Sequence, residues 1–250
     1  FCSNNVVFGR KYRFRSSESI VNEIELLINE YNAKGIYFRE DLFTVNEKRV
    51  MALCDEIRKR GLDFDWECES RVDTINEEML TAMKGSGCKL IWFGVESGSQ
   101  RILDDLNKQI TLSQIREAYR LCQRVGIKAG ASFMIGVPGE TIDDIQNTIA
   151  LAEELKPEFA WFNIFTGYPT SPLYEYVKKN KLYDKEINHG ILIVKTNEFD
   201  RRKLEKIQRY ADRKVNGYMK RLFRQAFLEV KKGTLTRQKV IRGVRYLLGG

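Results

Sequence analysis

Carboxylates stand at or just past the ends of three short apolar runs: Glu40 and Asp41 after GIYFR, Glu69 within WECES, and Glu96 after LIWFGV. An acid that closes an apolar strand is costly unless something pairs with it. For Glu96, followed by Ser97 and Gly98, two partners fit: a diol with two hydroxyl donors, or a salt bridge to Arg71. Arg71 lies two residues past Glu69 on the same face. Its planar fork suits a ligand carboxylate, or it pairs with Glu69 or Glu96. Glu40 and Asp41 can accept from an ammonium group, or complement the dipole of a helix starting near Asn46. In MIGVPGET, Gly136 and Gly139 let a backbone approach a ligand; read alone, the segment is a turn and helix start capped near Thr141. It lacks the phosphate-loop lysine and the spacing of a dinucleotide fingerprint, which disfavours nucleotide-phosphate binding. His189 is the single histidine, so an H-E-x-x-H zinc site cannot be assembled.

These residues need elements to position them, and the pattern supplies them in alternation. Apolar runs at Gly35–Arg39, Phe64–Ser70, Leu90–Glu96, Ala129–Ile135 and Phe159–Phe165 read as strands. Between them, apolar positions spaced at three and four predict helices, including Asn46–Arg60, Asn76–Lys84, Leu112–Val125 and Ile142–Leu155. Strands feeding helices describe a parallel α/β sheet or barrel, whose site is built where strands end. Five strand ends are therefore expected to converge on one ligand. The chain reaches a helix first, after Ser16, so one further strand is expected upstream. The fold class is α/β: an incomplete (β/α)6 TIM-like barrel lacking its first strand, with a C-terminal helical extension. A flat doubly wound sheet is the alternative. Trp161, Phe162, Ile164 and Phe165 form a near-continuous apolar run, as expected of a strand buried on both faces.

The 250 residues allow one α/β domain with a full core and a smaller appendage. No apolar run approaches the roughly 20 residues that span a bilayer. Phe1 is not an initiator methionine, so a fragment or processed product is expected. The net charge of +8 is uneven: residues 199–250 hold 16 Lys or Arg against 4 Asp or Glu, and the first 198 hold 26 against 30. Such a tail suits a nucleic acid, an anionic membrane surface or an acidic domain, and otherwise is a solvated helical face. Leu204, Ile207, Tyr210, Ala211, Val215, Met219 and Leu222 place an amphipathic helix in it, and a second is expected over Arg237–Leu248. Five cysteines without C-x-x-C spacing argue against a disulfide framework and fit a reducing, cytoplasmic compartment. Cys54, Cys68, Cys88 and Cys122 read as core thiols.

Phe1–Cys2–Ser3 resembles the end of C-x-x-x-C-x-aromatic-C, the cluster loop of the radical S-adenosylmethionine (SAM) superfamily. The resemblance extends over about 175 residues, in order: GIYFRED with LFTVNEKR, WECESRVDTINEEMLTAM, GVESGSQRILDDLNKQIT, MIGVPGETIDD and YPTSPLYE. Its closest look is to the group that often carries an N-terminal cobalamin-binding domain. The resemblance implies a 4Fe–4S cluster with one open iron, chelated by SAM, and a 5′-deoxyadenosyl radical formed on reduction. Cys2 would be the third thiolate, with the other two upstream, and Phe1 would cover the cluster and offer its backbone to the adenine. By the same resemblance Glu40 and Asp41 meet the SAM amino group. Arg71, with Glu69 beside it, forks the methionine carboxylate, and Glu96 with Ser97 holds the ribose. Met134, Gly136 and Gly139 belong to the adenine-contacting strand end. Tyr168, Pro169, Ser171 and Pro172 would close the open side near substrate. Thr170 departs from the glycine usual in that segment, which leaves its backbone angles open.

The change to Lys- and Arg-rich helical stretches beyond His189 places a boundary near 190–198, dividing the chain into a core over residues 1–195, radical SAM by the resemblance, and a basic helical extension over 196–250. The resemblance implies hydrogen abstraction from a poorly activated carbon, then methyl transfer or rearrangement if cobalamin is present. A small-molecule or lipid substrate and an external electron donor follow from it; no catalytic residue is assigned. Two other readings stay open: a tRNA-modifying methylthiotransferase that grips RNA with the tail, and a non-catalytic barrel that binds a partner through it. A peripheral membrane contact of the tail is a further expectation.

Overall fold

The computed structural model describes residues 9, 12–40, 42–196 and 198–217. In chain order the elements are α1 (Ser17–Tyr31), β1 (Gly35–Phe38), α2 (Glu47–Lys59), β2 (Asp65–Ser70), α3 (Glu77–Gly85) and β3 (Cys88–Glu96). Then come α4 (Gln100–Asp105), α5 (Leu112–Val125), β4 (Lys128–Ile135), α6 (Ile142–Leu155) and β5 (Ala160–Ile164). The last are β6 (Thr166–Gly167), α7 (Pro172–Lys179), β7 (Tyr183–Ile187), β8 (Ile191–Val194) and α8 (Arg201–Asn216). Polar residues set the helix starts. Side chains of Ser16, Asn46, Asn76 and Asp200 accept from amides in the first turns of α1, α2, α3 and α8. Thr111 and Thr141 form reciprocal capping boxes with Gln114 and Asp144. Each satisfies a donor that the first turn leaves unpaired.

Strands β1 to β5 are all parallel and lie in chain order. Sequential order with crossovers of one hand places the covering helices on one face of the sheet. A doubly wound sheet would reverse its strand order at a switch point, and this one does not. The sheet curls into a half-barrel, the incomplete barrel expected from the sequence. Its helical side buries Trp66, Cys68, Ile91, Phe93, Val95, Phe133 and Phe162 in one core with Leu53, Ile57, Leu80, Ile115 and Ile145. The four described thiols, Cys54, Cys68, Cys88 and Cys122, are free and buried there. Burial pushes Cys54 up to about 11 and Cys122 up to about 12, so these are packing groups rather than nucleophiles.

Two expectations need correction. β5 is not buried on both faces: Phe162 is buried, but Trp161 is 53 % exposed and Asn163 is exposed too. The helices cover only one side, and β5 is the edge of the sheet. The strand also stops at Ile164. Phe165 leaves it for a second core with Ile102, Val137, Tyr174, Leu192 and Val194. That core sits under a small antiparallel sheet of order β6–β8–β7. β7 has no strand signal in the sequence, since its DKE stretch is polar and shows no alternation.

Helix α8 covers the free edge of β5. Asn216 accepts from the Ala160 amide and donates to the Ala160 carbonyl, 2.8 Å each way, and Gln208 donates to the Phe162 carbonyl. Two amide side chains eight residues apart thus stand in for a neighbouring strand. Leu204 and Ala211 of the same helix are buried in the main core. The rest of the basic tail, with the second expected helix, lies outside the described residues.

The turn after β3 is packed directly on α6. A Cβ on Gly98 would lie 2.4 Å from the Asn147 carbonyl oxygen and 2.6 Å from Thr148 Cα. Gly98→Ala must therefore push backbone from backbone. We expect a loss of about 3 kcal/mol or more in urea unfolding, with Gly139→Ala, where a Cβ meets nothing within 4 Å and only the left-handed backbone opposes it, losing about 1–2 kcal/mol.

Candidate functional site

The face turned away from the helices carries Tyr37, Glu67, Glu69, Trp92, Glu96, Ser132 and Trp161, placed together by ladder register and alternation. Glu96 is its focus. The β3–β4 ladder shifts between Gly94 and Glu96, and Glu96 has φ 68°, in the left-handed region that a non-glycine residue seldom occupies. The bulge turns the carboxylate back over Gly94, where a Cβ would sit 2.8 Å from Glu96 Oε1. Lys108 Nζ donates to Oε1 at 2.8 Å, with the two side chains only 11 % and 13 % exposed. Among the described residues, Oε2 accepts no hydrogen bond.

Arg71 does not pair with Glu69 or Glu96. Its guanidinium forks onto Asp73, with both bonds 2.8 Å, and donates to the Lys108 carbonyl at 2.9 Å. Asp73, Arg71, Lys108 and Glu96 therefore form one string across the ends of β2 and β3. Burial works to raise the Asp73 pKa, but the fork from Arg71 outweighs it and holds it below the usual carboxylate range. Asn107 and Gln109, on either side of Lys108, are both left-handed, with φ 49° and 57°. Strained backbone brackets the lysine that the string depends on.

The other expected site residues are placed as follows. Glu40 accepts a two-point fork from Arg49, at 3.0 and 2.7 Å, and a bond from Tyr12. Arg49 is buried, with rings of Tyr12, Phe14 and Phe43 against its guanidinium. Glu40 is thus engaged by α2. Glu69 accepts from the Tyr37 hydroxyl and lies 3.5 Å from Arg39. Ser97 is fully buried and bonds Thr148 of α6 at 3.1 Å, so it fixes the turn rather than facing the concave side. Met134 is half-buried against the second core. Gly136 and Gly139 are left-handed, with φ 78° and 85°. The space a Gly136 Cβ would need is taken by Leu204, whose Cδ1 would be 2.6 Å away. Thr170 holds φ 72°, so threonine keeps the left-handed backbone natural to a glycine there. Phe1, Cys2 and Asp41 lie outside the described residues. Among the described residues no group of three or more His, Cys, Asp or Glu side chains could hold a metal ion.

The structure thus joins Arg71 to Glu96, with Glu69 on the same face, and sets Glu40 and Ser97 apart in bonds of their own. Lys108, Asp73 and Glu67 were missed. Lys108 lies twelve residues past Glu96, beyond α4, and no periodicity links the two. The one local signal is Asn107, a residue tolerant of left-handed backbone. A cleft of about 400 Å³ lined by Gly98, Gln100, Arg116, Asn147 and Glu154 is on the helical side, away from these carboxylates.

Behind the strand end, Glu140 accepts from the amides of Gly136 and Val137 through Oε2. Its Oε1 is buried without a partner. Burial raises its pKa to about 7, against the two amide bonds that work to lower it. Nearby Asp144 goes the other way. Burial would raise it, but bonds from Ser99, Thr141 and Arg101 bring it down to about 2.

A parallel half-barrel with helices outside and charged strand ends on its concave side defines an α/β barrel of the class that binds ligands at strand C-termini. Comparison with known proteins makes this definite. The family model of the radical SAM superfamily matches residues 1–152, and the chain belongs to that superfamily. An uncharacterised methyltransferase of Pyrococcus horikoshii is 41 % identical over 182 residues, 73 % of this chain and 40 % of that protein. The anaerobic magnesium-protoporphyrin IX monomethyl ester cyclase of Rubrivivax gelatinosus is 29 % identical over 253 residues, 100 % of this chain and 43 % of the relative. The chain thus spans about two fifths of the length of these relatives. The solved structure of the cobalamin-dependent SAM radical enzyme OxsB superposes with a TM-score of 0.63 at 13 % identity, covering 96 % of this chain and 42 % of that one.

Two outcomes follow from the geometry. Lys108→Met leaves the Glu96 carboxylate partly buried and unpaired, with an expected loss of ~3 kcal/mol. The double variant Lys108→Met/Glu96→Gln should lose less than the two singles summed, read from urea midpoints. For Glu140 the sign is set by its raised folded pKa. The unfolded chain releases that proton near pH 4.3, the folded one near 7. Stability is therefore fully present below about pH 4 and falls as pH rises toward 7. Glu140→Gln should lack that slope, losing less between pH 5 and pH 8 than the wild type on the same urea titration.

Proposed function

We propose that this chain is the SAM-binding barrel of a radical SAM methyltransferase or related enzyme that acts on a small molecule. The single observation that carries the reading is Glu96. Strained backbone and Lys108 aim its carboxylate onto the concave face, and one oxygen accepts no bond from the described residues. A carboxylate with a spare oxygen fits the hydroxyl donors of a ribose, and Arg71, whose Nε and Nη2 are taken by Asp73 and the Lys108 carbonyl, has Nη1 left to meet an amino-acid carboxylate nearby. The donor set therefore fits SAM, and Glu69 lies on the same face to accept from an ammonium. When bound, SAM with a 4Fe–4S cluster supplies a 5′-deoxyadenosyl radical on one-electron reduction. Cys2 would be the cluster ligand that this chain contributes. The chain's own residues hold the nucleoside and keep its sugar at the strand ends; Glu140 fixes the turn beside them through two backbone amides.

Residues 1–195 carry this chemistry in the proposal, and α8 seals the edge of β5. Cobalamin as a second cofactor is supported by the likeness to OxsB and would be held by a part of the protein other than the residues described. The porphyrin ester in the name of one relative supports a small-molecule substrate over a macromolecular one.

The test uses the full-length gene product, reconstituted anaerobically with iron and sulfide and reduced with dithionite in the presence of SAM. We expect 5′-deoxyadenosine by mass spectrometry. Glu96→Ala should raise the KM for SAM about tenfold or more, with the cluster absorbance unchanged. Intact cluster absorbance with no nucleoside product in the wild type overturns the proposal.

A further inference from the structure

The concave face also holds an aromatic corner that the charged string does not use. Trp161 is the second residue of β5 yet is 53 % exposed. Two rings meet it nearly perpendicularly: Trp92 at 6.0 Å and 89°, and Phe159 at 5.8 Å and 75°. Those contacts fix the plane of the indole. Trp92 is held in turn. Its Nε1 donates to Glu67 Oε2 at 3.3 Å, and its ring lies over Gly130, where a Cβ would be 2.4 Å from Cε3. Further along β5, the exposed Asn163 amide donates to Ser132 Oγ at 3.1 Å, and its carbonyl oxygen accepts no bond among the described residues. In the ladder Trp161 is opposite Ser132, and Glu96 is opposite the next residue, Phe133. The corner is therefore one rung along and two strands across from Glu96, about 10 Å by sheet spacing.

We propose that Trp161, backed by Trp92, is the platform for a flat conjugated ring of the substrate, with Asn163 accepting from a donor at the ring's rim. This rests on the function proposed above and names the substrate class of the same site. The three side chains that form the corner are all aromatic, and a ring of fixed plane gains offset stacking that a saturated group of equal area does not. An aliphatic chain would gain only burial. Holding the indole in place before binding also spares the ordering of a mobile side chain. Trp161 is thus a specificity residue and takes no part in bond breaking.

The probe is protoporphyrin IX, flat and conjugated, with cholate as a saturated control of similar bulk, both titrated against the full-length protein. We expect porphyrin binding that Trp161→Ala weakens about tenfold or more and Trp161→Phe weakens by less than about threefold. Circular dichroism confirms that each variant is folded. Iodide quenching, taken as the difference between wild type and Trp161→Phe, should show Trp161 open to solvent before the probe is added. Three results overturn the proposal: equal porphyrin affinity for wild type and Trp161→Ala, cholate binding as tightly and with the same dependence on Trp161, or a Trp161 shielded from iodide because another part of the chain covers it. A protein that cleaves SAM but binds porphyrin independently of Trp161 sinks the platform alone. One with Trp161-dependent binding and no SAM cleavage sinks the radical reading alone.

Discussion

Every helix that covers the parallel sheet lies on one of its faces, because neighbouring strands follow one another along the chain and each crossover has the same hand. From that constraint the two characters of the sheet follow. The covered face must be apolar, and Ile91, Phe93, Val95, Phe133 and Phe162 make it so. The other face is released from that demand and can carry Glu67, Glu69, Glu96, Trp92 and Trp161. A doubly wound sheet would have had to bury both faces and could not have kept these charges mid-sheet without pairing each of them.

Releasing one face leaves a second difficulty, which is the open edge of β5. Parallel strands at an edge expose backbone donors and acceptors that invite another strand. Here α8 answers with Asn216 on Ala160 and Gln208 on Phe162. Leu204 of the same helix packs on Gly136, at the turn that Glu140 ties down from behind. One helix thus seals the edge and braces the strand end nearest the site. Its basic exterior is then largely a solvated face with two structural jobs underneath.

Much of this was legible in the chain. The alternation of capped helices and apolar strands follows from local chemistry: Asn46, Asn76, Thr111 and Thr141 are each where a helix start needs an acceptor. Glu96 could be singled out because an acid at the end of LIWFGV needs a reason. Its partner could not be named. Lys108 reaches it through a loop whose path depends on left-handed turns at Asn107 and Gln109, and nothing in an N-K-Q triplet shows where the amine goes. Arg71 illustrates the same limit. Alternation placed it beside Glu69, but Asp73 two residues on offered a shorter reach for the fork. Exposure on β5 was misread for a related reason. Apolar periodicity cannot distinguish a strand buried on both sides from an edge strand whose outward tryptophan is exposed.

The two buried carboxylates behind the strand ends show how environment, not residue type, divides the work. Asp144 meets Arg101, Ser99 and the Thr141 cap, so it stays charged and ties α4, the Gly139 turn and α6 together. Glu140, one turn away, meets only two backbone amides, and half of its carboxylate meets nothing. A neutral carboxylic acid satisfies that pocket better than an anion, since the unpaired oxygen then bears little charge. The turn from Gly136 to Gly139 is consequently held by a group whose grip depends on its proton. Loss of the proton strengthens the two amide bonds but strands a charge in the core. The strand end that the family resemblance places against adenine is therefore set by a balance between those two effects, whereas opposite charges hold the Glu96 string together.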